Sequence, residues 1–278
     1  MATVTTMRDK LSEEIGDYFK STTTSDGSGT DDLIDTELAK YDDDAFVDKF
    51  ETSFLIEGAV TATGEENFAT SKTDGTVAFR GDYSALIPNA TAYSVHKLFS
   101  AAHKDRVIES VRKSIFPTIF KEAQYEFTIV ANQQTYDISA ASFDDPLGAF
   151  RDIQLVNEDD SEKSTTIFNW EFIPGQTNKL RLNALPGTGR TVRLIGIQTA
   201  DLADYDEKDE NLLIPYVARN LFRQGILAAP GDVASRSSAA KTDWEEEIKV
   251  ANRKYKKIPP AILQPRRKGG TKLNWSTP

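Results

Sequence analysis

The sequence predicts an α+β protein: amphipathic helices forming a helical bundle, antiparallel β-sandwich or barrel-like modules, and an extended C-terminal arm. Apolar residues recur with helical spacing near the N-terminus, in the middle and toward the C-terminus. Between those stretches the period shortens toward two, and Gly, Pro, Asn and Asp punctuate the runs. Beyond Glu247 there is no acidic residue, and prolines interrupt any regular pattern. Five segments follow: 1–45, an N-terminal helix and flexible loop; 46–122, a β module followed by a helix; 123–200, a second β-rich module; 201–257, a helix pair; and 258–278, the arm.

Met7, Leu11, Ile15 and Tyr18–Phe19 place one apolar stripe on a helix over Thr5–Lys20, with Thr6 as its cap. The Ser/Thr/Gly run Ser21–Thr30 has no apolar period and is expected as a loop. Asp31–Lys40 is expected as a short helical turn carrying Leu33, Ile34 and Leu38. Strands are expected at Thr52–Ile56, Thr76–Arg80 and Ala92–Leu98, with turns at Gly58, Gly64, Asp74-Gly75 and Pro88-Asn89. A helix capped by Ser100 carries Val107, Ile108, Val111, Ile115 and Ile119, and Pro117 ends or kinks it.

The second β-rich stretch divides into Tyr125–Val130, Thr135–Ser139, Phe150–Val156, Phe168–Phe172, Lys179–Asn183 and Thr191–Gln198. An acidic linker, Asp201–Glu210, leads to a helix over Ile214–Leu227 with Pro215 in its first turn. Pro230-Gly231 breaks it. The last helix, Ser235–Tyr255, shows a single stripe of Trp244, Ile248, Ala251 and Tyr255.

The chain of 278 residues carries a net charge of −10, divided unevenly. Nine basic residues lie beyond Glu247, leaving 24 of the 33 basic residues against all 43 acidic ones in the body. An acidic body with a basic tail marks the tail as an interaction segment, and the body lacks the clustered Lys and Arg of a general nucleic-acid binder. Lys249–Lys257 belong to a helix end, where cations favour the dipole. Arg266, Arg267, Lys268 and Lys272 ride on the arm itself. No apolar run approaches a membrane span, and Met1–Lys20 has no apolar core of a signal peptide.

With no cysteine, thiol catalysis, disulfides, cysteine–zinc sites and iron–sulfur clusters are excluded. Gly187-Thr188-Gly189 precedes a strand and lacks the Walker Lys-Ser/Thr, so it is expected as a hairpin turn. The acidic clusters Asp42–Asp44, Glu158–Asp160 and Asp204–Glu210 lack the spacing of a calcium loop and are expected as solvated loops. His96 and His103 have no nucleophile elbow to serve and are expected to be structural. The sequence therefore predicts no enzyme, no cofactor and no metal site. Trp170 is expected in a core, Trp244 on a core or helix–helix face, and Trp275 as an aromatic anchor in the arm.

Two residue sets are candidates for contact. The partner-binding arm comprises Ile262, Leu263, Arg266, Arg267, Lys268, Lys272, Leu273 and Trp275. The helix-packing set comprises Tyr216, Leu221, Phe222, Trp244, Ile248 and Tyr255.

The run Leu212-Leu213-Ile214-Pro215-Tyr216-Val217-Ala218-Arg219-Asn220-Leu221-Phe222, the Pro-Gly break and the helix around Trp244 resemble the neck proteins of tailed bacteriophages. These are head–tail adaptors that form a ring beneath the portal, and Met7–Phe46 is similar to the openings of phage virion proteins. The resemblance implies a structural virion protein assembled in the host cytoplasm, a homo-oligomeric ring of about twelve copies, and portal and tail or neck proteins as partners. It also implies a C-terminal arm inserting into the portal and a channel through which DNA passes without sequence-specific binding. About twenty residues of extended arm would reach on the order of 60 Å. An acidic wall would repel passing DNA. The alternative is a β-rich decoration, fibre-base or carbohydrate-contacting module, with exposed aromatics on one β face.

Overall fold

In a computed structural model of the chain, the described residues are 2–17, 19–43, 46, 52–141, 150–156, 164–167, 170–173, 176–183, 187–228 and 232–255. The arm, 258–278, lies outside them. The fold is mixed α and β, with four α-helices among the described residues and antiparallel sheets. The chain divides into two compact units: Met1–Ser114 with Leu202–Lys256, and a second containing Ile115–Asp201.

In the first unit the opening helix, α1, spans Val4–Glu14, shorter than the predicted Thr5–Lys20. Thr3, not Thr6, is its cap: the Thr3 hydroxyl accepts from the Thr6 backbone N–H, and the Thr6 hydroxyl reciprocates. Gly16 adopts φ +68°, and Asp17 N–H bonds back to Ser12 O at 2.8 Å while Gly16 N–H bonds to Glu13 O at 3.2 Å. This left-handed cap ends the helix, and the apolar period that continues through Phe19 is coincidental. Phe19–Thr22 forms a strand, β1, instead.

The Ser/Thr/Gly run that follows is held by hydrogen bonds from Thr24 N–H to Ile34 O, Gly27 N–H to Ile87 O and Asn89 N–H to Asp26. Asp32 accepts from the Ser28 and Gly29 backbone N–H groups. Asp31–Lys40 is a strand, β2 (Asp32–Ile34), then a 3-10 helix (Thr36–Lys40) capped by Asp35.

Strands β3 (Ser53–Ile56), β4 (Glu66–Thr73), β5 (Thr76–Phe79) and β6 (Ala92–His96) complete a six-stranded antiparallel sheet ordered β1-β6-β3-β4-β5-β2. β4 has a mostly polar, half-exposed sequence, which is why it carries no readable alternation. A bridge between Ser25 and Ile34 ties the chain leaving β1 to β2 at the opposite edge, so the sheet curls into a half-barrel. Phe46, Phe54, Phe79, Tyr83 and Tyr93 fill its interior in ring contacts of 5.2–5.8 Å.

The other face of β3 and β6 presents Ser53, Ser94 and His96, all fully buried beneath helices. Helix α2 (Ala101–Ser114) follows β6 and stops before the Phe116-Pro117 peptide. Helix α3 runs Glu207–Ala228 and α4 runs Asp232–Tyr255. α3 packs along α4 and against α2 and α1. The predicted acidic linker holds a 3-10 turn, Leu202–Asp204, and its last four residues are the start of α3. Asp206 accepts from the Lys208 and Asp209 N–H groups at 2.9 Å, and Asp209 reaches back to the Asp206 N–H at 3.4 Å. This reciprocal cap starts the helix seven residues before the predicted Ile214, leaving Pro215 in its interior rather than its first turn.

The second unit holds a four-stranded antiparallel sheet ordered β10-β9-β13-β7 and a three-stranded one ordered β11-β12-β8. Its strands are β7 (Lys121–Thr128), β8 (Thr135–Asp137), β9 (Phe150–Val156), β10 (Ser164–Thr166), β11 (Trp170–Ile173), β12 (Gln176–Leu182) and β13 (Thr191–Gln198). Ile153, Val192 and Leu194 from one sheet share a core with Tyr136, Trp170, Leu180 and Leu182 from the other. Trp170 is buried there, as its alternation predicts. Gly187 and Gly189 both take positive φ in the turn before β13, with Gly189 N–H bonded to Ile129 O at 2.9 Å.

Candidate functional site

The densest polar constellation lies where the end of α1, the end of β6 and the start of α2 meet. Asp17, just past the glycine that closes α1, accepts on one carboxylate oxygen from the Lys97 and Leu98 N–H groups at 2.6 and 2.8 Å. The other oxygen accepts from Phe99 N–H at 3.1 Å and from the Lys104 ammonium at 2.8 Å. All four lone-pair positions of the carboxylate are thus used. Lys104 also donates to Ser12 Oγ at 2.8 Å and lies 3.0 Å from His96 Nδ1. Lysine has only donors, so His96 Nδ1 accepts and the Nε2–H donates to Ser94 Oγ at 3.1 Å. Side chains of Lys104 and Asp17 have no exposure. Glu66 completes the junction by accepting from the Ala101 and Ala102 N–H groups at the start of α2, at 2.6 and 2.9 Å.

Burial lowers the Lys104 pKa, against the opposing pull of Asp17. Burial, reinforced by the Lys104 charge, lowers that of His96 from 6.5 to about 3. The folded protein therefore keeps His96 neutral where the unfolded chain protonates it. Stability is unaffected above pH 6.5 and is lost as pH falls from there toward about 3. By about pH 5 the expected loss is roughly 2 kcal/mol, and His96→Gln, which keeps one acceptor and one donor, should lose less over the same interval. Urea midpoints of both proteins at about pH 7.5 and 5 check this; equal losses would contradict it.

This cluster is sealed. His96, Lys104, Asp17, Ser12 and Ser94 are all at most 1% exposed, so no substrate atom reaches a proton donor or acceptor there. Sequence reasoning assigns His96 a structural role but does not find Asp17, Lys104 or Glu66. The signal for Lys104 is its phase, since it shares the buried face of α2 with Ala101, Ile108 and Val111. A lysine in phase with an apolar stripe implies a buried partner.

The second constellation is open. A cleft of about 280 Å³ lies where α3 and α4 meet the end of α1. Ile214, Pro215, Trp244 and Val250 give it an apolar patch, and Glu14, Glu247 and Lys254 supply its charges. Both carboxylates are exposed, and neither has an ion-pair partner among the described residues. Pro215 offers no N–H to the Asn211 carbonyl one turn earlier, and Asn211 also lines the cleft.

The candidate helix residues spread over several places. Leu221 and Ile248 are buried; Phe222 packs edge-on against Phe99 at 5.4 Å. The Tyr216 hydroxyl accepts from Asn252 Nδ2 at 2.7 Å across the helix pair. Trp244 and Tyr255 are half-buried in the cleft wall, with the Lys254 ammonium 4.9 Å above the Tyr255 ring. Ile262, Leu263, Arg266, Arg267, Lys268, Lys272, Leu273 and Trp275 of the arm, and the Glu158–Asp160 cluster, lie outside the described residues. Asp43 lies 3.2 Å from the buried Lys72 ammonium. Among the described residues no three His, Asp or Glu side chains are grouped to hold a metal ion, and no helix is long and apolar enough to cross a membrane. No protein-family model matches the chain, and no curated protein matches it in sequence.

Proposed function

We propose that the protein is a structural subunit of a tailed-phage virion, a head–tail adaptor of the neck that forms a ring between portal and tail. In this reading the helices form a bundle that packs laterally with its neighbours, DNA passes along an acidic channel wall, the ring binds portal and tail or neck proteins, and the arm docks on an acidic copy or partner within that assembly. The observation that carries the reading is the abrupt change of charge on α4. Glu245-Glu246-Glu247 give way to Lys249, Arg253 and Lys254, and every charged residue after that is basic. A subunit acidic in its body and cationic in one terminal segment can bind acidic copies or partners through that segment.

A non-catalytic role is supported by the sealed state of Asp17, His96 and Lys104, whose hydrogen bonds are made to one another and to the backbone. The alternative, a carbohydrate-contacting β module, calls for exposed aromatics on one β face. The large hydrophobics exposed among the described residues are Tyr41, Leu86, Leu98, Val130 and Val250, which include a single aromatic ring.

Purified protein imaged by negative stain with and without portal is expected to give closed rings of one symmetry. A strict monomer in the presence of portal would overturn the proposal. Deleting Ile258–Pro278 should leave the melting temperature within about 2 °C of the full chain, since it removes none of the described helices and strands. The same deletion should abolish incorporation into particles, scored by blotting purified virions.

A further inference from the structure

We infer that the cleft between α3 and α4 receives the C-terminal arm of a second copy of this chain. The inference rests on the ring reading above, which supplies the neighbouring copy. Ile214, Trp244 and Val250 stand beside two carboxylates, Glu14 and Glu247, that have no ion-pair partner among the described residues, while the lining cation Lys254 lies over the Tyr255 ring. The arm offers the matching sequence: Ile262-Leu263, then Arg266-Arg267-Lys268, with no acidic residue to repel those carboxylates. In an extended chain, four residues separate an apolar pair from a cationic one by about 12 Å. That spacing lets one pair sit in the cleft while the other reaches its edge. The Asn211 carbonyl, left without its helical donor by Pro215, provides a further acceptor for an arginine.

The position of Tyr255 decides between a chain's own arm and a neighbour's. The last described residue, Tyr255, is itself part of the cleft wall. Pro259-Pro260 favours an extended path of about 3.1 Å per residue, a reach of up to about 20 Å for the seven residues after Tyr255. A proline-stiffened path disfavours a reversal back to the same cleft, and the ring reading supplies a second copy as the acceptor. The contact is head-to-tail, each copy giving an arm and receiving one, and such interfaces form rings where the rotation between copies closes.

The absence of native cysteines makes the test direct. Full-length Val250→Cys and full-length Leu263→Cys are mixed and oxidised, and the product is read on a non-reducing gel. A second mixture replaces Val250→Cys with Val130→Cys, an equally exposed position in the other unit. The expected result is a disulfide-linked pair from the first mixture at least tenfold above the second, and a ladder from the Val250→Cys/Leu263→Cys double variant. A linked monomer from the double variant, which would place each arm in its own cleft, overturns the inference. So does a yield equal to the control, which would place the arm on a different partner. Rings seen by negative stain without the cross-link would sink this contact while leaving the adaptor reading intact.

Discussion

Replacing Asp17 with Ala should destabilise the first unit by about 3–5 kcal/mol, because the Lys104 ammonium is left buried with its counter-ion removed. The substitution also strips acceptors from three backbone N–H groups, those of Lys97, Leu98 and Phe99. Each buried donor without a partner adds a desolvation penalty of its own. For a unit of this size the thermal midpoint should fall on the order of 10 °C. The companion variant is Asp17→Ala combined with Lys104→Met. Removing both charges relieves the uncompensated ammonium, so the double variant should recover at least about 1 kcal/mol relative to the sum of the singles. A single variant within about 0.5 kcal/mol of wild type, measured by urea unfolding at unchanged m-value, would show that the network does not form.

Phe54→Ala should be comparably severe for a different reason. Phe54 is fully buried inside the half-barrel and touches three rings: Phe46, Phe79 and Tyr93 at 5.8, 5.3 and 5.8 Å. Truncating a buried phenylalanine costs about 3–5 kcal/mol, from lost transfer energy and from the cavity left behind. The surrounding wall is a curled sheet whose backbone is tied on both sides, and the Tyr83 hydroxyl donates to Phe54 O at 3.1 Å. Such a wall collapses little, which places the cost toward the upper end of the range. Phe54→Leu retains most of the volume and should cost about 1–1.5 kcal/mol. The urea midpoint distinguishes the two; equal midpoints would mean that the site repacks freely.

How far the sequence disclosed this fold depended on whether burial left a one-sided pattern. β9 and β13 lie at the residues that their apolar runs indicate, and β6 ends two residues short of its predicted limit. β4 left no trace, because its apolar residues Phe68 and Ala69 are adjacent and so point to opposite faces, and the rest of the strand is polar. The apolar period runs past the opening helix because Phe19, which packs edge-on against Tyr41 from a strand, falls in phase with Met7 and Leu11. The start of α3 is hidden in the sequence because Asp206 and Asp209 look like a solvated linker in one dimension and act as a reciprocal cap in three. The open cleft was half legible: Trp244 and Tyr255 stood out on their stripe. Its pair of carboxylates was not, since Glu14 comes from the far end of the sequence.

The Asp17 junction also governs how the first unit comes apart. One carboxylate fastens the tail of α1 to the three amides that leave β6 and to a lysine on α2. α1 cannot peel away without exposing that lysine's empty socket and freeing the loop before α2. Local fraying of the N-terminal helix is thereby converted into sub-global opening, and α1, β6 and α2 behave as one foldon. Amide protons at Lys97, Leu98 and Phe99 then exchange with solvent only when that whole assembly opens, although they lie in a connecting loop where fast exchange is the usual rule.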